Sequence, residues 1–148
     1  MAREAVIEMN CVRYSEKIID IVRLFNESGW QVYDDEKKIE YLPLGDNGEF
    51  NWQKKYLSLI ELRRLINEKQ NRYEMVGLIL HFDESEQGIT ILTKSTETII
   101  IGLDINRKTI ENTRDSITDV GWYFTNIIQR IKKGGAIIDY IKFEDFVD

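Results

Sequence analysis

Between residues 75 and 103, three short apolar segments follow one another with little more than turn-length chain between them. Residues 75–82, 89–93 and 98–103 are rich in Ile, Leu, Val and Thr, and the links 83–88 and Lys94-Ser95-Thr96 are polar. Parallel neighbours need a crossover of a dozen or more residues, so connections this short force an antiparallel meander. Ile99, Ile100 and Ile101 are apolar on consecutive positions, which predicts a strand that is central in its sheet or covered on both faces. Everything else in the chain has to pack around that sheet.

The flanking segments read as helices and short strands. Residues 6–12 alternate Ile7, Met9 and Cys11 with Glu8 and Asn10, a strand pattern. Ser15 can cap a helix whose apolar face holds Ile18, Ile21, Val22 and Phe25, with Gly29 as a left-handed exit. Residues 30–33 and 39–44, joined by Asp34-Asp35-Glu36-Lys37-Lys38, read as a hairpin. Asn47-Gly48 suits a tight turn with positive φ at both centres, so residues 49–54 are expected to return antiparallel to 39–44, with Pro43 near a strand end. Ser58 and Glu61 make a capping box for a helix to about Gln70. Its stripe is Leu59, Leu62, Leu65 and Ile66, while Arg63, Arg64 and Lys69 point elsewhere.

Residues 106–116 are polar and read as a loop or a short helix. Thr118 is placed to cap a helix over about 119–133 with Val120, Phe124, Ile127 and Ile131 as its buried stripe, ended by Gly134-Gly135. The run 136–143 supplies a last strand before an acidic tail. The order β-α-β-β-β-α-β-β-β-α-β predicts one α+β domain over residues 1–148. It is a mostly antiparallel sheet of six to seven strands with three helices packed on it.

Composition narrows what such a domain can do. A net charge of −6 and a pI near 5.0 repel a phosphate backbone and favour a basic partner, so no direct nucleic-acid binding is expected. Cys11, the single cysteine, excludes an internal disulfide and a clustered thiolate zinc site. Arg3, Glu4 and Glu8 interrupt the apolar core that a signal peptide needs, and no stretch reaches membrane-spanning length, so a cytoplasmic protein is expected.

Groups for catalysis are scarce. His81, the single histidine, shares its strand face with Met75, Gly77 and Ile79; it could act as a general base beside Asp83, but no nucleophile is placed with it. Asp34, Asp35, Glu36 and Glu40, or Asp83, Glu84 and Glu86, could contribute to a magnesium or calcium site, yet neither set has the spacing of a calcium-binding hand. No glycine-rich loop opens a helix after a strand. The expectation is a protein without catalytic residues, cofactor or metal.

Charge and aromatic residues carry the remaining information. From residue 30 to 49, six acids stand against two lysines, and Asp83, Glu84 and Glu86 add a second acidic turn. Lys54, Lys55, Arg63, Arg64, Lys69 and Arg72 give the second helix and its approaches the opposite sign. Acidic hairpin tips at one end of a sheet would steer a basic partner. Trp122 lies across its helix from Val120 and Phe124, so it either packs on a neighbouring element or stands exposed as an anchor.

A compact acidic α+β build with Asp34-Asp35-Glu36, Asp83-Glu84-Ser85-Glu86 and a helix bearing Thr118-Asp119-Val120-Gly121-Trp122-Tyr123 resembles the bacterial immunity proteins of polymorphic toxin and contact-dependent growth inhibition systems. The resemblance implies tight one-to-one binding of a monomer to a cognate toxin domain, often a basic nuclease whose active site is masked by acidic side chains. The charge argument nominates Asp34, Asp35, Glu36, Asp46, Glu49, Asp83, Glu84, Glu86 and Trp122 as partner-binding residues. Two other readings are a small carboxylate- or metal-dependent hydrolase using Asp34, Asp35, Glu40 or His81, and an acidic DNA mimic that inhibits a defence enzyme.

Overall fold

The computed structural model, described over residues 3–147, is an α+β fold with one antiparallel sheet and three helices. In chain order the elements are β1 (Arg3–Asn10), α1 (Ile18–Glu27), β2 (Trp30–Gln31), β3 (Ile39–Tyr41), β4 (Gln53–Lys55) and α2 (Leu59–Asn71). There follow β5 (Val76–Phe82), β6 (Gly88–Ser95), β7 (Thr98–Ile105), α3 (residues 120–133) and β8 (Tyr140–Val147). The eight strands are arranged β4-β3-β5-β6-β7-β1-β8, with β2 joined to β5 beside β3. No helix among the described residues is long and apolar enough to cross a membrane.

The meander β5-β6-β7 pairs in sequence as its short links require. The first strand is inserted between β7 and β8, so β7 is central rather than covered on both faces. Alternation fixes the two faces. Ile7, Met9, Leu78, Leu80, Ile91, Ile99 and Ile101 are buried and share one core with residues of all three helices, among them Phe25, Leu62, Ile66 and Ile127. Each such side chain contributes about 2 kcal/mol by leaving water.

Several local expectations change. Residues 30–33 and 39–44 meet only at the Tyr33–Ile39 bridge and do not form a hairpin. Instead Trp30 and Gln31 pair with Phe82 and His81, and Tyr41 pairs with Leu78, so both segments run along the same edge of β5 with 34–38 looped out between them. The chain does turn at Asn47 and Gly48, with φ of 54° and 76°, but pairing with β3 resumes only at Gln53. Ser15 does not cap α1. Its hydroxyl binds Asp20 and the Lys17 amide, while the first helical amide, of Ile18, donates to Gln70 Oε1 from α2 at 2.9 Å.

On α2, Ser58 accepts from the Glu61 amide at 3.1 Å as the capping pattern requires. Its buried side, however, is Leu62, Ile66 and Lys69, with Leu59 exposed and Leu65 half-buried. On α3 the cap is Asp119, which accepts from the Trp122 amide at 3.1 Å, and Thr118 is instead buried against Arg107. The middle of α3, Phe124–Gln129, is π-helical, and the buried stripe is Tyr123, Ile127, Ile128 and Ile131. Val120 and Phe124 are exposed. The expected acidic tail belongs to β8, which runs on through Glu144, Asp145 and Phe146.

Candidate functional site

Two acidic turns are organised by their own carboxylates. Asp34 Oδ1 accepts from the amides of Glu36 and Lys38 at 2.9 Å each, and Lys54 Nζ lies 3.1 Å from Oδ2. Burial pushes this carboxyl upward, but the Lys38 and Glu36 amides and the Lys54 ammonium outweigh it and hold its pKa below the usual aspartate value. Asp46 is buried and accepts from the Phe50 and Asn51 amides at 2.8 Å each. These two side chains shape loops. Asp35 and Glu36 stay exposed beside Asp34, with Glu36 3.3 Å from Lys38, and exposed Glu49 accepts from Asn51 Nδ2.

In the turn after β5, Asp83, Glu84 and Glu86 are exposed, and Glu84 is ion-paired with Arg130. The Arg130 guanidinium also sits 4.7 Å over the Phe82 ring, tying the turn to α3. The acidic turns do not meet at one end of the sheet. Glu74 holds the Gly45 amide at 2.7 Å, so the Asp46 loop lies where β5 begins, whereas Asp83 follows its last residue. A strand of that length holds the two turns roughly 20 Å apart.

Trp122 is half-buried in an aromatic cluster, edge-on to Tyr123, Phe82 and Trp30 at 4.9, 5.5 and 6.3 Å. The Trp30 indole N–H donates to the Asn126 carbonyl inside the π-helical turn at 2.8 Å, and Asn126 Nδ2 donates to the Trp122 carbonyl. The cluster thus joins α3 to the end of β5, and Trp122 has adopted the packed alternative.

A different surface emerges on the sheet face opposite the helices. Val6, Ile79, Leu92 and Ile100 are half-buried there, with no described helix over them. Leu92 pairs with Ile100, and Gly102 lies opposite Val6 and Thr90, leaving a shallow depression of about 430 Å³ where a side chain is missing. Glu4, Glu8 and Asp104 stand around this apolar floor; Asp104 accepts from Thr90 Oγ1 at 3.0 Å, and Glu8 accepts from the Tyr140 hydroxyl. Cations stand beside these acids as well: Lys142 is the cross-strand partner of Glu8, and Arg3 and Arg107 line the depression. Arg3 is paired with Asp145 at 2.9 Å, and Arg107 donates to Ser116 O and Thr118 Oγ1 at 2.7 Å each. The open face therefore combines an apolar floor with a rim of acids among which Lys142 and Arg107 also stand. Charge counting along the chain missed it, although Ile100 between Ile99 and Ile101 already marked apolar character on the second face.

The opening between α1 and α2 has only cations among its charged lining residues. It is lined by Ile19, Val22, Val32 and Leu62, with Leu59 and Ile60 exposed at its lip and Arg23 and Arg63 beside them.

Groups suited to chemistry are isolated from one another. His81 is half-buried on the open face, and its Nε2 has no hydrogen-bond partner among the described residues. Cys11 is buried, and burial first, then the Asp139 charge, pushes its thiol up to about 11. Lys69 is 1% exposed but saturated: Nζ donates to the Leu42 and Pro43 carbonyls at 3.2 and 2.6 Å and lies 3.7 Å from Glu74. Among the described residues no group of three or more His, Cys, Asp or Glu could hold a metal ion. Comparison with models of protein families, with curated proteins and with solved structures finds no match to the chain.

Proposed function

We propose that this chain is a protein-binding inhibitor, an immunity protein that neutralises a basic toxin domain by docking it on the open face of the sheet. The observation that supports this reading is the half-buried floor of Val6, Leu92 and Ile100 flanked by Glu4, Glu8 and Asp104, with Arg3 already paired to Asp145. Apolar contact there would slow dissociation, while the acids and the exposed Asp35, Glu36, Asp83 and Glu86 would speed encounter with a basic surface. Asp34, Asp46 and Trp122 serve this function indirectly, by holding loops and helix in place.

Cells producing the toxin domain encoded beside this chain test the reading. Co-production of the chain is expected to restore growth, and Leu92→Lys or Ile100→Lys to abolish protection in a folded protein while weakening binding roughly tenfold or more. Failure of the unaltered chain to protect, or full protection by both variants, would remove the proposal.

A further inference from the structure

The sheet ends at β8, whose outer edge has no hydrogen-bonded neighbour among the described residues. This strand is eight residues long, and an uncovered edge of that length is a template for another strand. Its outward side chains on the open face are, in order, Tyr140, Lys142, Glu144 and Phe146, all exposed. We infer that two copies of the chain pair antiparallel through β8, about a two-fold axis at Phe143.

The open-face residues of the strand are self-complementary about that residue. A two-fold at Phe143 sets Lys142 opposite Glu144 of the second copy and Glu144 opposite its Lys142. It also sets Tyr140 opposite Phe146 twice, with the two Phe143 side chains facing each other on the helix side. Opposite charges and aromatic pairs facing each other across antiparallel strands stabilise the pairing, and like charges oppose it. Charge also excludes the neighbouring registers. An axis at Lys142 sets the two lysines against each other, and an axis at Glu144 does the same to the two glutamates. Within one chain Lys142 and Glu144 already lie 2.8 Å apart, so the strand enters the dimer with its charges balanced. The pairing prolongs the sheet through both copies and leaves the open faces side by side; it does not depend on a toxin partner.

The strand pair is smaller than a standard interface, so the expected dissociation constant is on the order of micromolar. Sedimentation of the full chain over a concentration series tests it. A monomer-dimer equilibrium is expected, weakened roughly tenfold by either Lys142→Glu or Glu144→Lys. The double variant K142E/E144K restores the dimer. Mixing the two single variants produces a heterodimer, because each acid then faces a lysine across the axis. That mixture separates the contact between copies from the pair within the chain, which neither single variant can form. Circular dichroism checks that the variants fold. A strictly monomeric wild-type chain, unaltered association of the single variants, or a mixture that stays monomeric overturns the inference.

Discussion

Replacing Lys69 by Met keeps the length of the side chain and removes its ammonium. The buried stem packs on α2's inner side, while Nζ donates to the carbonyls of Leu42 and Pro43, at the start of the loop that Asp46 organises. The Met variant leaves those two acceptors without a donor, at about 1–2 kcal/mol each. Glu74 still holds the Gly45 amide and reaches solvent, so its own loss is small. Relief from burying a charge returns about 1 kcal/mol, which leaves a net destabilisation of about 2 kcal/mol. For a domain of this size the melting temperature falls by about 4–8 °C.

Urea unfolding followed by tryptophan fluorescence measures this change, and amide exchange should show residues 45–51 losing protection first. There is also a pH signature. Burial lowers the Lys69 pKa from 10.5, so between the lowered value and 10.5 the unfolded chain binds more protons and stability rises with pH. The neutral amine can still donate to both carbonyls; a thioether cannot, and the Met variant lacks the rise. A Met variant as stable as the parent, with unchanged loop exchange, would refute this account of Lys69.

Gly29 has φ of 94°, and a Cβ there would lie 2.7 Å from Arg130 Nη1 and 3.0 Å from Asp83, so Gly29→Ala should cost about 2 kcal/mol in thermal unfolding. Cys11 should resist thiol reagents in the folded protein and react once unfolded. Because its pKa rises from 9.0 to about 11 on folding, its contribution is complete below 9.0 and declines as pH climbs to about 11, a slope that Cys11→Ala should remove. Trp30→Phe deletes the donor to Asn126 and should destabilise by about 1–2 kcal/mol, with a changed near-ultraviolet dichroism from the aromatic cluster.

Local chemistry made the meander, the Ser58 cap and the Asn47-Gly48 turn readable from the sequence. Each depends on residues a few positions apart. Lys69 was misread for a long-range reason: its site is completed by carbonyls that arrive from 26 and 27 residues upstream. The same holds for α1, whose first amide is capped by Gln70, 52 residues away. On α3 a regular repeat of 3.6 residues predicted a stripe through Val120 and Phe124, but the π-helical turn at Asn126, hydrogen-bonded by Trp30, moves Tyr123 to the core instead. Acidic residues could be counted in the sequence, but not their occupations. Asp34 and Asp46 turn their carboxylates onto nearby amides, while Glu4 and Asp104, unremarkable as isolated letters, become neighbours only when β1 and β7 pair.

The excursion at residues 34–38 leaves and rejoins the margin of β5 between two segments that are already aligned, and the Tyr33–Ile39 bridge closes its neck. The ladder on either side is indifferent to how many residues the excursion contains, because lengthening a closed surface loop costs little more than chain entropy. Related chains could therefore vary the exposed residues between Asp34 and Lys38, and a peptide grafted there would be displayed while Asp34 keeps its hold on Lys54 of β4.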